Sequence, residues 1–323
     1  MPGPSRGRVD AAVKENESCI LCHEEQAIEW RGSLHQRSNV DPAYRQAFAI
    51  EPLPFCRGCH APEADSQHEP PESISELGVG CVTCHVTEDG IVLAAPSNHS
   101  NAASHPVKRS PVFASTGGCV NCHEFSFPGI AAGARDDDAL FMQTTVREHA
   151  RSSAANTPCA DCHMPQVAGR RSHSFAQVRD PEWLGKTIAV SAKRGENDSV
   201  EVTLRQTRSG HGFPTGDLFR RLEVGAELRN ARGQIIRRDV QYLARHFVER
   251  PGAAGRELRG DDRLFEEPMT LDLDVAPSSK NAESLSVFYW VKLQRVATVG
   301  EGSRAKDAIV ESEAELHRGE FSW

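Results

Sequence analysis

The sequence predicts an α+β protein: a mostly loop and short-helix part, then a small antiparallel β-sandwich of immunoglobulin-like kind. Three observations predict it. All ten cysteines fall between Cys19 and Cys162. Fourteen of the 19 prolines lie in the first 165 residues, where they break any long helix. From about Pro181 the hydrophobic pattern changes to period two, the mark of half-buried strands. A chain of 323 residues is long enough for two domains. The composition shift puts them at residues 1–180 and 181–300, with a polar tail at 301–323 that reads as a docked helix or a partly disordered end. The net charge of −8 argues against a nucleic-acid binder, and no run approaches the roughly 18 apolar residues of a membrane span.

In the first part the helical candidates are residues 11–22, 24–37 and those around 140–151. Around them the ten cysteines sort into five pairs of one spacing, each followed by histidine. These are Cys19-x-x-Cys22-His23, Cys56-x-x-Cys59-His60, Cys81-x-x-Cys84-His85, Cys119-x-x-Cys122-His123 and Cys159-x-x-Cys162-His163. The C-x-x-C-H pattern is the attachment signature of haem c. Two thiols three residues apart can form thioethers to the two vinyl groups of one porphyrin, and the next residue then lies under the iron as proximal ligand. A disulfide framework gives no reason for a histidine after each pair. Cys₄ zinc sites consume pairs two at a time, and five pairs leave one over. The cofactor expected is therefore five covalently bound haem c groups, each with its iron. Large apolar side chains are thin in this stretch, so porphyrins are expected to supply much of its interior.

Haem c is attached on the far side of the cytoplasmic membrane, so an exported protein, periplasmic or at the cell surface, is expected. The segment after Met1 shows no apolar signal-peptide core.

The second part reads as strands in succession. Residues 187–192 and 199–205 are joined by a turn at 195–198, and 222–229 turns through Asn230-Ala-Arg-Gly233 into 234–240. Residues 242–248, 269–275 and 284–293 complete six or seven strands, the count of a small sandwich.

Five proximal histidines leave His35, His68, His99, His105, His149, His173, His211, His246 and His317. Coordination of every iron by two histidines needs five of these, so the count suffices. Only four methionines exist, and Met1 and Met164 are poorly placed to substitute.

Trp30-Arg-Gly-Ser33-Leu-His35, Gly78-Val-Gly-Cys81 and Cys159-Ala-Asp-Cys162-His163-Met164-Pro165 are similar to elements of one family, as is Gly210-His211-Gly-Phe213-Pro214-Thr215-Gly216. In their order the chain resembles the multihaem cytochromes related to the tetrahaem cytochrome c-554 of nitrifying bacteria. That resemblance implies distal ligation by His35 and His211, often to a haem attached elsewhere in the sequence. His105, just before Pro106, fits a third distal place and His173, ten residues after His163, a fourth. His99 is taken as the fifth, against His149 and His68. Ligation by His211 would make the β part a clamp on the haem stack.

The function expected is electron transfer between redox partners through closely packed, mostly bis-histidine low-spin haems. The alternative is a multihaem oxidoreductase with one five-coordinate iron acting on a small nitrogen or sulfur compound. Five-haem nitrite reductases use a C-x-x-C-K motif at the catalytic haem, whereas all five motifs here end in histidine. Hydroxylamine oxidoreductases cross-link a tyrosine to theirs, and Tyr44, Tyr242 and Tyr289 all lie away from the motifs in sequence. Haem propionates add negative charge to −8, so redox-protein partners with basic docking patches are expected, with assembly into a larger complex or filament as a further possibility. No catalytic residue is assigned.

Overall fold

The structure, a computed structural model, describes residues 7–96, 104–130, 137–175, 180–208, 210–277, 284–297, 306 and 308–323. Helices in the first half are short because prolines, glycines and motif turns interrupt them. Helix α1 (Asp10–Cys22) runs into the first cysteine pair, and α2 (Glu24–Trp30) follows after His23 with two glutamates in its first turn, where the helix dipole favours them. It stops at Trp30 instead of reaching residue 37, because Gly32 turns the chain with a φ of 77°. Helix α3 (Pro42–Ile50) starts on proline, capped by the Asp41 carboxylate accepting from the Ala43 amide.

Helices α4 (Pro54–His60), α5 (Glu72–Leu77) and α6 (Cys81–His85) come next. Strand β1 (Leu93–Ala94) pairs in parallel with β2 (Lys108–Arg109). Then come α7 (Val120–His123), β3 (Glu124–Ser126), β4 (Phe141–Thr144), α8 (Thr145–Arg151) and α9 (Cys159–His163). The hairpin of β5 (Gln166–Val167) and β6 (Arg170–Arg171) turns through Ala168 and Gly169, both at positive φ. Helix α10 (Pro181–Gly185) leads into β7 (Ile188–Arg194) and β8 (Val200–Gln206). The remaining strands are β9 (Arg220–Arg229), β10 (Ile235–Leu243), β11 (Arg245–Glu249), β12 (Arg256–Asp261), β13 (Met269–Leu273), β14 (Ser286–Val296) and β15 (Val310–Ser322).

The chain divides into two compact units, one of Met1–Phe125 with Ala155–Gln177, the other of Ser126–Ala154 with Val178–Trp323. The first unit has a small core, with Ala12, Ala61, Ala64, Ile74, Leu77, Val82 and Val86 buried together. Beneath it Glu63 is fully buried and answered by the Arg8 guanidinium at 2.9 and 3.1 Å and by the Thr83 hydroxyl at 2.9 Å.

In the second unit two antiparallel sheets, ordered β13-β8-β7 and β10-β9-β14-β15, share one apolar core. It takes Val200, Val202 and Leu204 from the first sheet and Leu222, Val224, Ala226, Leu228, Val287 and Val291 from the second. Val200, Val202 and Leu204 sit two residues apart, the inward half of the pleat that the sequence displays. Strands β11 and β12 form a separate antiparallel pair.

Three expectations change. Within the polar tail Val310–Ser322 is not helical but forms strand β15, paired along β14, while residues 301–305 and 307 lie outside the described residues. Its acidic residues look like loop composition, yet Glu311 and Glu313 are partners of Arg295 (3.4 Å) and Lys292 (2.8 Å) on β14. Residues 140–151 are not one helix but strand β4 followed by helix α8. Finally, residues 126–154 pack in the second unit, so a single cut after residue 180 does not describe the chain. The Arg245 guanidinium draws them there, donating to the Phe141 and Met142 carbonyls at 2.7 Å each, and Phe127 packs edge-on against Phe247. Among the described residues no helix is long and apolar enough to cross a membrane.

Candidate haem sites

Each Cys-x-x-Cys-His motif occupies a helical turn. The first ends α1 with His23 just beyond it; the others lie in α4, α6, α7 (with Cys119 as its N-cap) and α9. At 3.6 residues per turn, positions i, i+3 and i+4 lie on one side, so two thiols and an imidazole share a face. No disulfide joins any two of the ten cysteines. Local sequence sets these turns: Pro54 opens α4, and the Cys81 amide donates to the Asn16 carboxamide at 2.8 Å. Gly80 is needed there, since a Cβ would come within 2.8 Å of Asn16 Oδ1 and Leu77.

All five proximal and three of the distal candidates lie in the first unit within the described residues. Three pairs come together with closely similar spacing. Ring centroids are 6.2 Å apart for His23 and His105, 6.2 Å for His35 and His123, and 6.3 Å for His85 and His173. Two metal–nitrogen bonds of about 2 Å each, plus the distance from each nitrogen to its ring centre, give a separation of about 6 Å across one metal ion. Among the described residues no group of three or more His, Cys, Asp or Glu is arranged to hold a metal ion by itself. A porphyrin already supplies four nitrogens to iron and asks the protein for two, which a facing imidazole pair provides. The residues present fit haem.

The protonation of these imidazoles is set by their surroundings. Burial, then the neighbouring imidazoles of His123, His163, His173 and His60, push His35 down to about 3. Burial also lowers His85 and His173, the latter helped by His85. Backbone carbonyls accept from Nδ1 of His60 (Ser38, 2.7 Å), His85 (Leu93, 2.9 Å), His105 (Pro106, 3.2 Å) and His173 (Arg171, 3.0 Å). A carbonyl can only accept, so Nδ1 carries the proton and Nε2 keeps its lone pair for a metal.

His211 lies in the second unit, where burial lowers its pKa and Nδ1 faces the Gly212 carbonyl at 3.1 Å. Helix α8 grips its loop on both sides. The Gly212 amide donates to Glu148 at 3.0 Å, and His149 Nδ1 donates to the Gly210 carbonyl at 3.0 Å. Glu148 is held in turn by Arg263 at 2.6 Å, and His211, Glu148, Arg245 and Arg263 line a cavity of about 360 Å³. His149 is buried and carries the same Nδ1-to-carbonyl bond as His60, His85, His105, His173 and His211. His99 lies outside the described residues.

The other histidines differ in kind. His246 directs Nε2 at the Asp262 carboxylate (3.0 Å), and His68 is an exposed side chain on Asp65. His317 stacks on Tyr289.

Tyr44 corrects the sequence reading. Although distant from any motif along the chain, it stacks on the imidazole of His60, with centroids 3.8 Å apart and planes within 11°. The turn between α3 and α4 brings it there, a placement with no short-range signature in the sequence. Its hydroxyl is buried without a hydrogen-bond partner, and burial raises its pKa. The carbonyls that orient the imidazoles were equally invisible, since every residue carries one.

Residues 18–86 match the family model for cytochrome c554 and c-prime. Comparison with curated proteins gives no match. Among solved structures the chain is similar to a penta-haem cytochrome c552 from Thermochromatium tepidum, at 17% identity and a TM-score of 0.70, covering 99% of this chain and 100% of that one. At that identity the likeness is one of fold.

Proposed function

We propose that this chain, a pentahaem c-type cytochrome with five covalently bound haem c groups, passes electrons singly between redox proteins and transforms no substrate. The observation that carries the reading is the set of three facing imidazole pairs at 6.2–6.3 Å. Haem iron supplies reversible ferric–ferrous exchange, and ligation on both faces leaves no position for a substrate. The chain's residues hold and orient: cysteine pairs tether, histidines ligate, carbonyls accepting from Nδ1 fix the rings of His60, His85, His105, His173 and His211, and burial lowers the pKa of His35, His85, His173 and His211.

The ligands assigned on this reading are the proximal His23, His60, His85, His123 and His163, with His105, His35 and His173 as distal partners of His23, His123 and His85. His211 takes a fourth distal place. For the fifth, His99 answers the sequence pattern and His149 has the fixed, buried ring of a ligand. The β part is read as an immunoglobulin-like sandwich, supported by two antiparallel sheets over one core. An exported location, and partners with basic docking patches, follow from haem c attachment and the −8 charge.

Tyr44 favours a second reading, in which the second haem serves a small nitrogen or sulfur compound. Its phenol is packed beside His60 with an unanswered hydroxyl. Cyanide and nitric oxide separate the two. A carrier is expected to keep its visible spectrum unchanged on adding either to the oxidised or reduced holoprotein, while a ligand-induced shift in one haem would establish the second reading.

A further inference from the structure

We infer that Tyr44 sets the potential of the second haem, favouring its ferric over its ferrous state by stacking on the proximal imidazole of His60. The inference rests on the carrier reading, with His60 as an iron ligand, and concerns residues of the first unit alone.

Local sequence builds the stack. Helix α3 starts at Pro42 under the Asp41 cap, and helical spacing puts Tyr44 and Phe48, four residues apart, on one side of it. On α4 the same geometry puts Arg57 and His60, three residues apart, on one side. The two sides meet in register. Tyr44 lies on His60 with ring centroids 3.8 Å apart, and the Arg57 guanidinium lies over the Phe48 ring at 4.8 Å. Ser38 brackets His60 as well: its carbonyl accepts from Nδ1 at 2.7 Å, and its hydroxyl donates to the His60 carbonyl at 2.8 Å. A hydrogen bond thus fixes the imidazole at its edge, and the phenol fixes it on its face.

The stack is closer than aromatic packing asks for. Uncharged aromatic pairs favour offset or edge-on arrangements, with centroids roughly 4.5–7 Å apart. His85 of the third motif shows that ordinary case, with Phe113 stacked on it at 4.9 Å. At 3.8 Å and 11° Tyr44 and His60 are nearly face to face, which suits an electron-poor ring against an electron-rich one. An imidazole bound to ferric iron is electron-poor, because the metal draws density from it; bound to ferrous iron it is less so. The negative face of the phenol therefore favours the ferric state and lowers the midpoint potential.

The hydroxyl agrees. It is buried without a hydrogen-bond partner, a cost in stability that phenylalanine at this position would not carry. Packing alone gives no reason for it. Its oxygen feeds electron density into the ring and makes the face over His60 more negative. Tyr44 itself gives up neither an electron nor a proton, and the exchange remains one electron at the iron.

The test is a redox titration of the holoprotein carrying Tyr44→Leu or Tyr44→Phe, each checked for full haem content and low-spin spectra. Tyr44→Leu is expected to raise one midpoint and leave the other four in place. Tyr44→Phe, which keeps the ring, is expected to raise the same midpoint by less. In thermal melts Tyr44→Phe is expected to be at least as stable as the natural chain, because the unanswered hydroxyl is gone. Unshifted midpoints in Tyr44→Leu would overturn the inference and leave Tyr44 a packing residue. A Tyr44→Phe shift equal to that of Tyr44→Leu would also overturn it, by taking the ring out of the account. The carrier reading fails separately, on a response of one haem to cyanide or nitric oxide.

Discussion

At the scale of the residue, what marks a ligand here is less the presence of an imidazole than the state in which the fold keeps it. His35 is desolvated to a pKa of about 3, so its ring is neutral at any physiological pH. His246, by contrast, has its Nε2 engaged by Asp262, and no count of histidines could have revealed that. His149 is buried, with Nδ1 fixed by the Gly210 carbonyl. Parallel substitutions test the fifth distal place. His149→Ala is expected to convert one haem to a high-spin, five-coordinate spectrum, and His99→Ala to leave all five unchanged. The reverse result would restore His99 to the position its place among the motifs suggests. His211→Ala is expected to act as His149→Ala does.

At the scale of the element, helix α8 shows how a short segment fixes a functional loop. Its Glu148 is buried against Arg263 and accepts from the Gly212 amide and the Thr215 hydroxyl, while its His149 holds the Gly210 carbonyl. Burial alone would raise the Glu148 pKa, but Arg263 and the hydrogen bonds bring it down from 4.5 to about 2. The folded pKa lies below the unfolded one, so the unfolded chain binds more protons between those values. The stabilisation is fully present above pH 4.5 and is lost as the pH falls toward 2; at 1.36 kcal/mol per unit it is worth at most about 3 kcal/mol. Urea titrations followed by far-ultraviolet circular dichroism from pH 7 to 2 should show the loss. In Glu148→Gln the slope over this range is expected to flatten and the stability at pH 7 to fall by about 2–3 kcal/mol. An unchanged slope would remove Glu148 from the account. The sequence could suggest a helix here, but not the strand β4 that precedes it, because the Arg245 bonds to the Phe141 and Met142 carbonyls come from a strand about a hundred residues away.

At the scale of the whole molecule, the sequence displayed the five Cys-x-x-Cys-His motifs and the β part, and hid the way the chain is shared between units. The cysteine pairs are local: one helical turn suffices, and each was readable as it stood. The β7–β8 hairpin was equally plain, because its alternation and its turn at residues 195–199 are short-range. Strand β15 was not, since its inward positions are few and its charges find partners only on β14. Residues 126–154, embedded between two haem motifs, fold with the β unit because of contacts to β11 and β12 that no local pattern announces. Tyr44 on His60 is the same case within the first unit.

The central claim is that histidines occupy both axial positions of all five irons. Quantitative low-temperature electron paramagnetic resonance of the fully oxidised holoprotein tests it most directly, read together with haem and iron content per chain. The account predicts five haems per chain with only low-spin ferric signals, changed by neither cyanide nor nitric oxide. A high-spin signal amounting to one haem per chain would contradict it.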